Sequence, residues 1–488
     1  MPGIRRPDTA RTALILLVAA LLLRIADFGS PIIHVDEQYY LLVGQRMLDG
    51  ALPYVDIWDR KPIGLFLLYA GAAALPGDDI LGYQIVATIF AGLTAIVVAS
   101  GARALGASRA GALAAGIAYL IWLPLLGGRG GQAPVFYNLF IACAARLTLR
   151  LPSLAQTRGG LSIIANGALA CLLAGIAIQI KPTAGFEAAF IGLAHVGWLV
   201  RARGWPAAAP AALLWIAIGA GPTLAAMLAY RAIGPAAFDA WWFANVTSIF
   251  LRPAYPVGQV AMRLLGIAAQ LSPLVLCAAI GWRRRRVRLV GERGLAFGWL
   301  VAALVGFAAI GTFFDHYALP LLPPLAMISG IALGRIPRIL VGTLVLGLLL
   351  MVVERAFIPH DAAGARRVAE VVRINSRDEC PYVFIGDTAT YSLSRTCLPS
   401  AQAFPNFLAY TTEAGATGVD PATEIARILA GRPPVIVAST RKMAIWNPQT
   451  LAVLKPALAQ GYRPVYAVPR AGYRTVVFLR RDLTFIAP

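Results

Sequence analysis

The chain has 488 residues, of which 59% are hydrophobic and only 14% charged, and its mean hydropathy is +0.70. Soluble domains carry about 25% charged residues, so this composition excludes a cytosolic enzyme, a secreted disulfide scaffold and a disordered chain, and points to a polytopic membrane protein. The 43 basic residues against 23 acidic ones give a net charge of +20; in a soluble protein that would suggest a nucleic-acid partner, but basic cytoplasmic loops account for much of it and no nucleic acid is needed.

Taken in chain order, Arg5, Arg6 and Arg11 precede the apolar run Leu14 to Leu23. No small-residue cleavage site follows, so the run reads as an uncleaved first transmembrane helix rather than a signal peptide. A span needs about 20 mostly apolar residues. Segments 12–29, 81–102, 110–127, 132–149, 161–180, 184–200, 208–230, 263–282, 294–313, 317–334 and 338–357 meet or approach that length, which predicts eleven spans. Pro62 to Leu75 is apolar but too short and reads as an interfacial or re-entrant helix.

The basic residues agree with this count. With a cytoplasmic N-terminus, eighteen fall inside: Arg5, Arg6, Arg11, Arg103, Arg109, Arg146, Arg150, Arg158, Arg201, Arg203, Arg283 to Arg286, Arg288, Arg293, Arg335 and Arg338. Eight fall outside: Arg46, Arg60, Lys61, Arg129, Lys181, Arg231, Arg252 and Arg263. A twelfth span at 62–75 would turn the Arg283–Arg288 cluster outward, against the positive-inside rule. The predicted architecture is therefore a multi-pass helical membrane domain over 1–357, with a long acidic first outer loop at 30–80, followed by an extracytoplasmic α/β domain over 358–488. In the latter, strand-like runs at Tyr382–Ile385, Val435–Ala438 and Thr475–Leu479 alternate with helix-like stretches near Ala362–Ile374 and Pro421–Leu429. A second outer loop, about 231–262, contains Trp241, Trp242 and Tyr255.

Cys143, Cys171 and Cys277 fall in spans and read as packing residues, whereas Cys380 and Cys397 both fall in the outer domain. That compartment is oxidising, which predicts a disulfide between them, although spacing alone does not establish its geometry. No Cys/His cluster has zinc spacing and no phosphate loop of the Walker type is present. No cofactor is implied; a divalent metal is left open.

The chemistry-bearing residues collect on the outer side. Asp36 and Glu37 follow the first span directly, and adjacent carboxylates there can act as a general base and its partner or simply form an exposed, helix-capping acidic loop. Arg60 and Lys61, at headgroup depth, either hold a lipid phosphate or snorkel to headgroups. Lys181 closes a span on the side where basic residues are few, and Asp315-His316-Tyr317 opens the tenth span ahead of Pro320, Pro323 and Pro324; each can bind a phosphate or serve only the helix end. An acidic pair with several cations suits transfer chemistry on a phosphate-bearing lipid, the base taking a proton from an acceptor hydroxyl and the cations stabilising the departing phosphate.

Asp36-Glu37-x-Tyr39-Tyr40 followed by Gly50-x-x-Pro53-Tyr54-x-Asp56-x-Trp58-Asp59-x-Lys61-Pro62 resembles the first-loop signature of bacterial GT-C glycosyltransferases. These include the protein O-mannosyltransferases, the lipid A aminoarabinose transferases and the rhizobial lipopolysaccharide-core transferases. His316-Tyr317-x-x-Pro320-x-x-Pro323-Pro324 is similar to a later motif of the group. The resemblance covers about 1–357. It implies an inverting hexosyl or pentosyl transferase of the bacterial inner membrane, N-terminus cytoplasmic and C-terminal domain periplasmic. It would move a sugar from a polyprenyl-phosphate donor to an envelope glycan, lipid or protein, among membrane lipids. Asp36 would be the base and Glu37 its acidic neighbour. Lys61 would contact donor phosphate. By their place at the outer membrane face rather than by the motif, Arg60 and Lys181 are expected to hold it too, with His316 and Tyr317. Tyr39, Tyr40, Tyr54, Asp56, Trp58 and Asp59 would line the substrate cleft. The family's Lys-Pro-Pro is here Lys61-Pro62-Ile63. A flippase of lipid-linked sugars is the main rival reading, but no internal repeat with interrupted helices supports it; a non-catalytic envelope assembly factor is the second.

Overall fold

The computed structural model describes residues 6–157, 159–283, 291–358 and 361–488. Of the basic residues used to assign sidedness, Arg5, Arg158, Arg284, Arg285, Arg286 and Arg288 lie outside the described residues. Every one of the eleven apolar segments forms a helix. Seven are long and apolar enough to cross a membrane: Thr9–Asp27, Asp79–Ala104, Gly160–Ile178, Trp205–Ile233, Val257–Trp282, Asp315–Leu333 and Pro337–Ala356. Three others, Arg109–Leu125, Ala133–Thr148 and Glu292–Ala308, have 16 or 17 residues. At 1.5 Å per residue they fall short of a 30 Å hydrocarbon core. Ala184–Arg203 has the length but carries Glu187, His195, Arg201 and Arg203.

The chain packs as two compact units that do not follow chain order. Unit 1 comprises Met1–Phe28, Gln84–Ala226 and Pro256–Phe357; unit 2 comprises Gly29–Tyr83, Met227–Tyr255 and Ile358–Pro488.

Unit 1 is a helical bundle. Apolar side chains have no water to escape inside a bilayer, so its helices associate through close backbone approach and polar contacts. A Cβ added at Gly111 would lie 2.3 Å from the Gly330 carbonyl oxygen and 2.6 Å from the Gly334 Cα. The crossing of Arg109–Leu125 with Leu322–Leu333 therefore tolerates only hydrogen at that point. The end of the first helix is fixed by charge. Arg24, 2% exposed, donates to Thr88 Oγ1 and to the Gly128 and Gly130 carbonyls. Asp27 pairs with Arg129 at 3.3 Å and Arg355 at 2.8 Å. The glycine-rich turn 127–131 is thus held by the first helix.

Unit 2 contains the first-loop helices Val35–Leu48 and Ile63–Ala73 and the tail. The second of these is the short apolar helix of 11 residues expected not to span. It crosses the first where a Cβ on Gly44 would sit 2.7 Å from the Ala70 nitrogen. The tail carries a four-stranded sheet: β1 (Tyr382–Val383), β2 (Val435–Ser439), β3 (Tyr462–Arg470) and β4 (Tyr473–Arg480), in the order β1-β2-β4-β3. β1 runs parallel to β2, and the other pairs are antiparallel. Ile425, Ile428, Ile436 and Leu454 form its core with Tyr382 and Phe384. Helix Ala362–Ser376 buries Ala365, Val368, Ala369, Val371 and Val372 at helical spacing. Cys380 and Cys397 are joined by a disulfide.

Candidate functional site

In unit 2 the acidic pair stands at a helix start rather than in an extended loop. His34 is the N-cap of Val35–Leu48, its Nδ1 accepting from the Asp36 backbone nitrogen at 3.2 Å and lying 3.8 Å from Asp36 Oδ2. Asp36 and Glu37 occupy the first turn, where the helix dipole favours negative charge. Their surroundings differ sharply. Asp36 is partly exposed, its side chain retaining 23% of its accessible surface, whereas Glu37 is fully buried and accepts from the Tyr83 hydroxyl at 3.4 Å. Of the two, Asp36 is the one open to solvent; Glu37 is packed beneath the helix start.

A third carboxylate joins them. Asp59 is 4% exposed and its Oδ1 accepts from the Arg60 nitrogen at 2.6 Å. Burial pushes its carboxyl above the usual carboxylate range, the positive charges of Lys61 and Arg60 oppose that rise, and the charge of Asp36 adds to it. Asp36, Asp59 and Lys61 thus lie within electrostatic reach of one another. The Lys61 ammonium lies 5.7 Å from the Tyr40 ring centre, and the Lys61 carbonyl accepts from the Tyr54 hydroxyl at 2.9 Å.

Arg60 is differently engaged from its neighbour. Its guanidinium donates to Glu413 Oε2 at 2.7 Å and to Ser248 Oγ at 3.2 Å, beside the Trp58 and Phe407 rings. Glu413 also takes Arg252 at 2.6 Å. The side chains of Arg60 and Glu413 are 9% and 7% exposed. This buried triad ties the first loop to the tail within unit 2, and it commits Arg60 to packing.

The aromatic residues of the motif are also core. Tyr39 donates to the Trp58 carbonyl at 2.6 Å and stacks on Phe404; Trp58 packs edge-on to Phe407 at 4.8 Å. Tyr40 packs against Tyr69, and Tyr54, at the left-handed φ of 71°, against Tyr230. Rather than lining an open cleft, Tyr39, Tyr40, Tyr54 and Trp58 hold the loop that carries Asp59 and Lys61. Asp56 is exposed and closes a turn by accepting from the Leu52 nitrogen.

Unit 1 collects the remaining cations around residues 311–317. Lys181, 6% exposed, places its ammonium 4.2 Å from the centre of the Tyr317 ring. Arg263 lies 3.9 Å over Phe314 and donates to the Thr312 carbonyl at 2.7 Å. His316, 8% exposed, sits between Phe314 and Tyr317, with Phe313 at a strained φ of 47°. A cavity of about 900 Å³ runs along helix Val257–Arg283. Leu264, Leu271, Trp282, Phe297, Leu304 and Leu325 line it, and Ser272 supplies its one hydroxyl. From Leu264 to Trp282 the lining follows the helix for about 27 Å at 1.5 Å per residue.

Sequence reasoning missed Glu413 and Arg252, which carry no local motif, and it assigned Arg263 only a side of the membrane. Among the described residues no group of three His, Cys, Asp or Glu side chains could hold a metal ion.

No protein-family model and no curated protein matches the sequence. Solved structures do. ArnT from Cupriavidus metallidurans, bound to undecaprenyl phosphate, superposes with a TM-score of 0.64 at 15% identity over 97% of this chain and 98% of that one. Its apo state gives 0.61, also at 15% identity, over 96% and 97%. The archaeal oligosaccharyltransferase AglB from Archaeoglobus fulgidus, in complex with an inhibitory peptide and a dolichol-phosphate, gives 0.52 at 11% identity over 98% and 75%. The chain has the polytopic GT-C fold that its first-loop motif implies.

Proposed function

We propose that the protein is a membrane glycosyltransferase that moves a sugar from a polyprenyl-phosphate donor to an envelope glycan, lipid or protein, with inversion at the anomeric carbon. The observation that carries this reading is the apolar cavity of unit 1. It is about as long as a hydrocarbon core is thick. The hydrocarbon chain of a lipid-linked donor fits it. The likeness to ArnT bound to undecaprenyl phosphate and to AglB with a dolichol-phosphate supports the same class of donor.

In unit 2, Asp36 takes the proton of the acceptor hydroxyl as its oxygen bonds to the anomeric carbon. The bond from that carbon to the phosphate oxygen breaks, and the electron pair leaves with the polyprenyl phosphate. Lys61 offsets the charge that develops there. The burial of Glu37 and Asp59 holds Asp36 and Lys61 in place. The protein resides in the bacterial inner membrane with its N-terminus cytoplasmic and its tail periplasmic, where the donor's sugar would be presented.

In proteoliposomes containing a polyprenyl-phosphate sugar and envelope acceptor, Asp36→Asn should insert and bind donor, yet transfer at least about a hundredfold more slowly. Near-normal transfer by this variant would remove Asp36 as the base.

A further inference from the structure

A second cavity, of about 410 Å³, lies within unit 2, walled on one side by the end of helix Val35–Leu48 and on the other by helix Ala389–Ser394. Its lining is polar and unlike that of the lipid-sized cavity. Two carboxylates in it are already engaged: Asp79 accepts from Gln45 Nε2 at 2.8 Å, and Asp49 lies 3.6 Å from Arg46 Nη1. Three donors are not. Arg395 forms no ion pair or hydrogen bond among the described residues, and neither Ser392 Oγ nor Arg46 Nε has a hydrogen-bond partner among them. Ser392 is 7% exposed, so its hydroxyl is withdrawn from bulk water with no partner among the described residues to satisfy it. Buried polar groups are ordinarily paired, and those that are not mark a missing partner.

The wall is built rigidly. The disulfide between Cys380 and Cys397 closes the segment that carries Ser392 and Arg395. Arg46 donates through Nη2 to the Thr396 carbonyl in the same segment. Arg395 itself sits at the helix C-cap with a left-handed φ of 53°, a conformation a side chain seldom takes without a reason of position. The buried, unpartnered Ser392 hydroxyl and Arg46 Nε, with the exposed guanidinium of Arg395 lining the same cavity, call for an oxyanion. The two carboxylates repel a bare anion but accept from hydroxyls, and the Gln45 amide can both donate to and accept from them.

We propose that this cavity binds a saccharide bearing a carboxylate or phosphate, the oxyanion on Arg395 and Ser392 and the sugar hydroxyls on Asp49, Asp79 and Gln45. As a binding site it stands by itself; as the subsite that selects acidic envelope glycans for transfer, it rests on the glycosyltransferase reading.

Full-length protein in detergent, titrated calorimetrically with a glucuronate-containing disaccharide and with a hexose 6-phosphate, tests it. Saturable binding of at least one of these is expected, weakened at least tenfold by Arg395→Ala and by Ser392→Val, while Arg395→Lys restores part of it. Equal binding of a neutral disaccharide, equal binding of inorganic phosphate, no binding of either probe, or indifference to both substitutions would overturn the proposal. The readout requires no turnover, so an inactive but binding protein would count against the transferase reading and leave this site standing.

Discussion

The two adjacent cations of the first loop offer a sharp test, because the structure places them in opposite surroundings. Arg60 and Glu413 form an ion pair at 2.7 Å with side chains 9% and 7% exposed, and Glu413 also holds Arg252. Glu413→Gln keeps the shape but strips the shared charge, leaving two guanidinium groups facing each other around a neutral amide. Breaking a buried ion pair by removing one partner costs about 3–5 kcal/mol, because a charge is left desolvated. For a body of about 150–250 residues each kcal/mol lowers the midpoint by about 2–4 °C, so a fall on the order of 6–20 °C is expected. Lys61 is half-buried, its ammonium 5.7 Å from the Tyr40 ring and within electrostatic reach of Asp59. Lys61→Ala should therefore leave the midpoint within a few degrees, while losing a charged contact to phosphate worth about 1.5–3 kcal/mol. That corresponds to about ten- to hundredfold in donor use. Thermal unfolding of purified protein in detergent and transfer in proteoliposomes, measured on the same preparations, separate the two effects. If Glu413→Gln unfolds at the wild-type temperature and Arg60→Ala impairs donor use as Lys61→Ala does, then Arg60 is a phosphate ligand and the packing argument fails.

Three further outcomes follow from other parts of the molecule. Replacing Cys380 and Cys397 by Ser opens a loop of sequence separation 17 and should cost about 3 kcal/mol, read as a lower unfolding midpoint that reductant does not lower further. Asp59 has its carboxyl raised by burial, so the folded state holds that proton more tightly than the unfolded chain. Its contribution to stability is then complete below the ordinary carboxylate range and is lost as pH rises through the raised value; Asp59→Asn should flatten that decline in a pH series of unfolding midpoints, and an unchanged slope would show that Asp59 is not its source. Ala279→Trp, which fills the cavity of unit 1 about 24 Å along its helix from Arg263, should raise the KM for a long polyprenyl donor and spare a donor with one isoprene unit; equal effects on both would mean the chain lies elsewhere.

The legibility of the fold varied with the kind of pattern involved. Apolar runs placed all eleven helices, because burial in lipid leaves its mark on every residue of a span. They could not rank the helices by length: Ala133–Thr148 and Glu292–Ala308 end sooner than their apolar windows suggest. In the tail, β1, β2 and β4 showed as short runs of branched and aromatic residues, whereas β3 did not. Its sequence, with Pro464 and Pro469 inside the strand, argues against a central position. β3 is indeed an edge strand, pairing only with β4 and shifting register between Pro464 and Tyr466. The prolines were a statement about position in the sheet rather than about strand content.

The site divided along a different line. The family resemblance grouped Asp36, Glu37, Asp59 and Lys61, with Arg60 between them, but a motif carries no information about burial, and burial is what sets them apart. Glu37 is fully buried while its neighbour Asp36 is partly exposed, although the sequence presents them as an equal pair. Arg60 and Lys61 look alike until Glu413, some 350 residues downstream, claims one of them. The aromatic residues of the motif follow the same logic. Interfacial tyrosines and tryptophans in a loop suggest contact with substrate or headgroups, yet Tyr39 and Trp58 face Phe404 and Phe407 from the tail. A loop that must hold a carboxylate and a cation within reach of each other cannot do so from solvent; it needs a core of its own, and that core comes from a part of the chain no local motif could name. The positions of Asp36 and Lys61 are therefore set by the tail's packing as much as by the motif, which is why the first loop and residues 358–488 share one compact unit.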